Sequence, residues 1–245
     1  MWSKEQIEKH RIACEILDKI KNEIFQFIRE NKDKRITEYD VQQFIIKKFE
    51  EYDVENEIDV PIVGFNSNAA IPHYFPKKKS SRLKKDTLIL IDIWAKLKKK
   101  DAPYSDITWM GYYGDVPEEV EKVFEVVIKA RNSCLNFIKA ELKNNKIPSG
   151  KEIDEIAKKV IIKNGYEKNI KHRTGHSIGT KSPHGEDKHV NSDNIDCLKN
   201  NLGYTIEPGV YLDGKFGVRS EINFYINSEM KLIVTTPMQK EIVGI

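Results

Sequence analysis

Apolar residues at Ile7, Ile12, Ile16, Leu17, Ile20, Ile24 and Phe27 recur mostly at three- and four-residue steps among charged neighbours. That spacing puts them on one stripe of an amphipathic helix. A second helix is predicted to start at Thr37, whose hydroxyl can cap the first turn with Asp40 three positions on, and to run through Val41, Phe44, Ile45 and Phe49. From Val60 the period changes. Residues 60–65, 87–93 and 106–113 are short, rich in β-branched and aromatic residues and bounded by Pro, Gly, Asn or Asp, which predicts strands. Helical spacing returns after Pro117 through Val120, Val123, Phe124, Val127, Ile128, Cys134, Leu135 and Ile138. Pro148-Ser149-Gly150 opens a further helix, with Ser149 and Glu152 in capping-box spacing and Asn164-Gly165 as its stop. Strands resume at 204–206, 209–212, 222–226 and 232–236.

The order helix, helix, strands therefore occurs twice, in halves of about 1–115 and 116–245, and predicts an α+β fold. No linker-like stretch divides the chain, so residues 1–245 are expected to form one domain. Acidic positions repeat with the halves. Asp92 ends an apolar run and Asp106 opens the next, fourteen residues on; Glu207 and Glu221 are also fourteen apart. Each interval holds a turn, at 98–103 and at Asp213-Gly214-Lys215, so each pair can lie across antiparallel neighbours on one face. Two such hairpins facing one another would gather four carboxylates at one point.

Composition narrows the class. The 245 residues hold 41 Lys+Arg against 38 Asp+Glu, a net charge of +3, with 39% hydrophobic residues. Such a chain can bury a sizeable core, which excludes disorder, collagen and coiled coil as overall descriptions. The basic run at 77–85 is expected to be a solvated loop, and nucleic-acid contact is not expected. Cys14, Cys134 and Cys197 are odd in number and form no CxxC pair, fitting neither a disulfide framework nor a structural zinc site. Cys14 and Cys134 fall on helix stripes as core residues, Trp94 and Trp109 read as core packing, His10 is expected on the polar side of its helix and His189 on a surface loop. The N-terminus lacks the apolar stretch of a signal peptide and no run is long enough to span a membrane, so a cytoplasmic protein is expected.

A charge embedded in Leu88-Ile89-Leu90-Ile91-Asp92-Ile93-Trp94 is expensive unless paired or bound to metal. Four gathered carboxylates would repel, and divalent cations are the natural counter-charge. His176, in Thr174-Gly175-His176-Ser177-Ile178-Gly179, lies between glycines that allow close backbone approach, and adds an imidazole suited to Mn, Fe, Co or Zn.

The ordered set Asp92, Asp106, His176, Glu207 and Glu221, in the contexts Ile-Asp, Tyr-Ser-Asp-Ile-Thr, Thr-Gly-His-Ser-Ile-Gly, Ile-Glu-Pro-Gly-Val-Tyr and Gly-Val-Arg-Ser-Glu, resembles the pita-bread metallopeptidases. That family includes methionine aminopeptidase, aminopeptidase P and prolidase. The resemblance implies a pseudo-twofold fold with a curved antiparallel sheet covered by helices, and two divalent metal ions (Mn, Co, Fe or Zn) per chain. It makes Asp92 a terminal ligand of one metal, Asp106 and Glu221 bridging carboxylates, and His176 and Glu207 ligands of the other. Glu207 also matches a general base, His73 a substrate-contacting or proton-shuttling histidine, and His184 the histidine that polarises the carbonyl. His172 and Arg219 match the proline-directed branch, which implies a peptide substrate cleaved at an N-terminal Xaa-Pro bond by an exopeptidase. Methionine aminopeptidase is the alternative, and a metal-free binding member of the fold a further one; a homodimer is left open. The chain has the length of a catalytic domain alone. Three local departures from the family pattern are Trp109 in place of an arginine, extra residues at 98–100, and an interval of eight rather than seven between His176 and His184.

Overall fold

The computed structural model describes residues 1–56 and 59–245. Helix α1 spans Lys4–Asn31, capped by a reciprocal Ser3–Gln6 box. Helix α2, Glu38–Glu51, starts at the expected Thr37–Asp40 box. Four strands follow: β1 (Val54–Glu55), β2 (Ile62–Phe65), β3 (Thr87–Leu97) and β4 (Ser105–Tyr113). The second half repeats the plan with α3 (Glu118–Lys143) and α4 (Gly150–Lys163), the latter capped by Ser149 and Glu152. Then come β5 (Gly203–Ile206), β6 (Gly209–Leu212), β7 (Phe216–Arg219), β8 (Ile222–Ile226), β9 (Leu232–Val234) and β10 (Val243–Gly244). No helix among the described residues is long and apolar enough to cross a membrane.

The long antiparallel β3–β4 hairpin is the centre of the first sheet, with β1 and β2 along the other edge of β3 and β10 parallel to β4. Strand β2 starts at Ile62 rather than 60, since Pro61 carries no amide hydrogen for a ladder. Strand β3 is buried on both faces, which is why its sequence runs apolar without alternation. Ile89, Ile91, Ile93 and Ala95 join the core under α1 and α2. Leu88, Leu90 and Trp94 join the core shared with α3, α4 and the second half. Asp92 belongs to this second set by parity, so the hairpin aims its acid at the other half of the molecule.

Asp92 pairs with Thr108 and Trp94 with Asp106, which sets the two acids diagonally on one face as expected. In the second half the Asp213-Gly214-Lys215 turn closes a separate β6–β7 hairpin, and the glutamates flank the end of the β5–β8 ladder, whose last pair is Ile206 with Ile222. A side-chain amide joins the halves. Asn223 of β8 accepts from the Asp106 amide at 2.9 Å and donates to the Asp106 carbonyl at 2.7 Å, as a further strand would. Gln239 pairs with Met110 in the same manner, at 2.9 and 2.7 Å.

His10 departs from expectation. It is fully buried, donating through Nδ1 to the Tyr104 carbonyl at 2.7 Å and accepting at Nε2 from the Thr235 hydroxyl at 2.8 Å. The ring thereby ties α1 to the entry of β4 and to the segment after β9, and satisfied nitrogens make its burial tolerable. Cys14 and Cys134 are buried and Cys197 is exposed.

Candidate metal centre

The floor of a cleft between the halves is built from five strands and one irregular segment. Strands β3 and β4 supply Asp92 and Asp106, the 174–177 segment supplies His176, and the ends of β5, β7 and β8 frame Glu207, Arg219 and Glu221. Close backbone approach places His176: a Cβ on Gly175 would lie 2.1 Å from the Thr205 carbonyl oxygen, so only glycine lets this segment lie against β5. The Thr205 amide donates to the His176 carbonyl at 2.8 Å and the Glu207 amide to that of Thr174 at 2.7 Å. His176 Nδ1 bonds the Ser177 carbonyl at 2.9 Å, which makes it the protonated nitrogen and turns the Nε2 lone pair to the acids. Nε2 lies 3.6 Å from Asp106 Oδ2 and 3.5 Å from Glu207 Oε1.

Ligand atoms of Asp106, His176 and Glu221 all fall within 4.8 Å of one another. Arg219 binds the Asp92 carboxylate through Nη2, the Thr108 hydroxyl through Nε at 2.9 Å and Tyr211 Oη through Nη1 at 3.0 Å. Thr108 in turn donates to Glu221 at 2.9 Å. One guanidinium thus stands against four carboxylates. Burial, with the Asp92 and Glu207 charges added, pushes Asp106 up to about 7 despite the nearby His176 imidazole. Burial raises Glu221 well above its ordinary value, reinforced by Asp106, Glu207 and Asp92, and burial raises Asp92 against the pull of Arg219. Glu207 is the exception: burial would raise it, but His176, His172, Arg219 and His184 together hold it low.

The donor set fits divalent cations. Asp92 Oδ1 is buried without a hydrogen-bond partner, an orphaned acceptor a cation would satisfy. Oxygen donors with one imidazole suit Mn, Fe, Co or Zn, and two such charges would bring the raised carboxyls back to their ionised forms.

Over this floor lies an inner chamber of about 90 Å³ walled by Ile62, Phe75 and Trp94, and an outer one of about 420 Å³. His73, His184, Glu207 and Arg219 line both. Ile178 and His184 form an antiparallel bridge, and the His184 ring centroid comes 4.4 Å from that of His176. Although His184 reaches solvent, partial desolvation at the chamber wall and then the His176 charge lower it to about 4, so it is neutral near pH 7. His172 donates or accepts at 2.7 Å with Tyr211 Oη and lines the outer chamber. All nine site residues expected from the sequence (His73, Asp92, Asp106, His172, His176, His184, Glu207, Arg219 and Glu221) are brought together.

Three further residues belong to the same network. Thr108 and Asn223 each stand two positions beyond an acid, a strand-period signal that places a side chain on the same face. Tyr211 lies in the Ile-Glu-Pro-Gly-Val-Tyr context and bridges Arg219 to His172. His189, expected on a surface loop, is near the floor, its ring centroid 6.5 Å from that of His176.

Residues 8–228 match the family model of metallopeptidase family M24. An uncharacterized peptidase of Staphylococcus aureus (strain MRSA252) is 30% identical over 233 residues, covering 95% of this chain and 62% of that protein. A crystal structure of an X-Pro aminopeptidase from Thermotoga maritima MSB8 is 26% identical, with a TM-score of 0.85, covering 100% of this chain and 64% of that one. A recombinant prolidase from Thermococcus sibiricus is 29% identical, also at 0.85, covering 100% of this chain and 62% of that one. The chain thus spans less than two thirds of the length of each of these relatives.

Proposed function

This chain belongs to metallopeptidase family M24, and we propose that it is a dinuclear metal-dependent exopeptidase that hydrolyses N-terminal peptide bonds, preferring Xaa-Pro. The observation that carries this is the buried convergence of Asp106, His176 and Glu221 beside the Arg219-bound Asp92. Asp92, Asp106, His176, Glu207 and Glu221 would hold the cations, which supply Lewis acidity and a hydroxide at neutral pH. Mn, Co, Fe and Zn are all served by these donors. The similarity to structures described as an X-Pro aminopeptidase and a prolidase favours the proline-directed substrate.

The chain's own groups then have distinct tasks. Glu207, held ionised by the surrounding cationic groups, accepts the proton released as the scissile carbonyl is attacked. His184 faces the reacting carbonyl from the chamber wall and stabilises its oxygen. His73, which also lines the chamber, passes a proton to the departing proline nitrogen. His172 and Tyr211 hold Arg219, and Ile62, Phe75 and Trp94 give an apolar wall that excludes water from the bond being broken. Residues 1–245 act as one catalytic unit, in the cytoplasm, where three unpaired cysteines would remain reduced.

A panel of Xaa-Pro dipeptides, Xaa-Pro tripeptides and Met-Ala peptides, assayed with Mn, Co and Zn separately, tests the substrate class. Faster turnover of Xaa-Pro than of Met-Ala is expected. Cleavage confined to N-terminal methionine would overturn the preference.

A further inference from the structure

Glu38, in the first turn of α2, is fully buried yet does not line the cleft. Among the described residues its carboxylate meets only neutral donors. Oε1 accepts from the Phe65 amide at 2.6 Å and from Asn68 Nδ2 at 2.9 Å. Oε2 accepts from Tyr74 Oη at 2.8 Å, the Ser81 amide at 2.9 Å and Asn68 Nδ2 at 3.0 Å. Hydrogen bonds to an ionised acceptor are the strong kind, and the start of a helix adds a favourable field. Burial raises the carboxyl above its ordinary value, while Asn68, Phe65, Tyr74 and Ser81 pull it back down.

The four donors share an origin. Phe65 opens, Asn68 and Tyr74 lie within, and Ser81 closes the segment that leaves β2 and returns towards β3. Its far end is further docked on α2, since the Glu38 amide donates to Ser81 O at 3.1 Å and the Leu83 amide to Ile36 O at 2.7 Å. Between these anchors, next to Tyr74, stands His73, which lines both chambers. Its ring makes no hydrogen bond of its own among the described residues, so its hydrogen-bonded anchors are those of the segment that carries it. The same segment touches the floor elsewhere: Arg219 Nη1 donates to Pro72 O at 3.4 Å, and a Cβ on Gly217 of β7 would lie 2.2 Å from Ala69 O.

We propose that Glu38 is a positioning residue for the cleft: its carboxylate holds the 65–81 segment at both ends and in the middle, and thereby fixes the His73 ring over the metal-binding floor. This rests on the catalytic role given to His73 above. A glutamine at position 38 has nearly the same shape but presents an NH₂ group where the Ser81 amide needs an acceptor. The segment should then lose its seat while the floor stays intact.

The test is a double-mutant cycle on the metal-loaded protein with an Xaa-Pro substrate, with bound metal measured for each variant. His73→Ala and Glu38→Gln are each expected to lower kcat/KM by about tenfold or more, with metal content unchanged. The double variant should be no worse than His73→Ala, within about twofold, because both changes remove one contribution. Tyr74→Phe, which deletes one donor and keeps the fold, should show a smaller loss that also vanishes in the His73→Ala background. Losses that multiply, or a Glu38→Gln protein with wild-type turnover and only a lower melting temperature, would leave Glu38 as a purely structural carboxylate. If Glu38→Gln does not fold, additivity of Tyr74→Phe with His73→Ala overturns the proposal by itself. Wild-type activity in His73→Ala would instead remove the role assigned to His73 and the inference with it.

Discussion

Arg219 donates to the Asp92 carboxylate at the floor of the cleft, and its Nε donates to Thr108, which itself donates to Glu221. The guanidinium is therefore the resident counter-charge of a cluster that otherwise repels itself. Removing it by Arg219→Ala leaves Asp92 buried and unpaired, a loss of about 3–5 kcal/mol in chelator-treated protein. Divalent cations would replace much of that counter-charge, so the loss should shrink when Mn is present. Urea denaturation with and without Mn measures both; an equal loss in the two conditions contradicts the shared role.

The Asn223 amide is the joint between the two halves at Asp106, near the start of β4. Asn223→Ala would leave a buried amide and a buried carbonyl without partners, costing about 2–4 kcal/mol in all. Because the freed backbone carries Asp106, metal affinity should weaken in the same variant. Denaturation midpoints and metal titration check the two effects; a variant of wild-type stability would show that the ladder of β3 with β4 suffices.

His10 gives a pH dependence distant from the cleft. Burial holds it down at about 4 in the folded chain, against an ordinary value of 6.5, with the Tyr104 carbonyl opposing. The unfolded chain therefore takes up a proton first as pH falls, and stability is lost from about pH 6.5 down to about pH 4. The full shift corresponds to about 3 kcal/mol. His10→Asn should flatten the stability curve across this window relative to wild type, measured by urea denaturation at steps from pH 7 to pH 4. Parallel curves would show that His10 does not drive the acid loss.

Much of the fold is legible locally. The Thr37–Asp40 and Ser149–Glu152 boxes announce their helices because both partners of each bond lie within one turn. The fourteen-residue spacing of Asp92 and Asp106 announces one half of the floor because the β3–β4 hairpin converts it into a fixed cross-strand offset, whereas the turn between Glu207 and Glu221 closes β6–β7 instead and those two acids meet at the end of the β5–β8 ladder. Long-range pairings leave weaker marks. Strand β10 is two residues that pair only with β4, more than 130 positions earlier, and nothing in Val243-Gly244 signals it. Asn223 looks like an ordinary strand-side polar residue and Gln239 like a polar residue of a connecting segment, and their role as substitute backbone exists only once β4 lies beside them. His10 had a signal in its place four residues before Cys14 and seven before Leu17, on the stripe that is buried. Residue type masked it, because a histidine is buried without penalty only when distant partners such as Tyr104 and Thr235 satisfy both nitrogens. Glu38 is hidden for the same reason: a glutamate in a helix's first turn suggests a dipole partner, not the seat of a loop.

The most direct test of the central claim is a titration of chelator-treated protein with Mn, following Xaa-Pro hydrolysis in the wild type and in Asp106→Asn. Activity is expected to be absent without metal, to rise with added Mn and to saturate near two ions per chain. The Asp106→Asn variant should bind less metal and lose activity by about a hundredfold or more. Full turnover by the metal-free wild type, or undiminished turnover by Asp106→Asn, would contradict a dinuclear metallopeptidase at this floor.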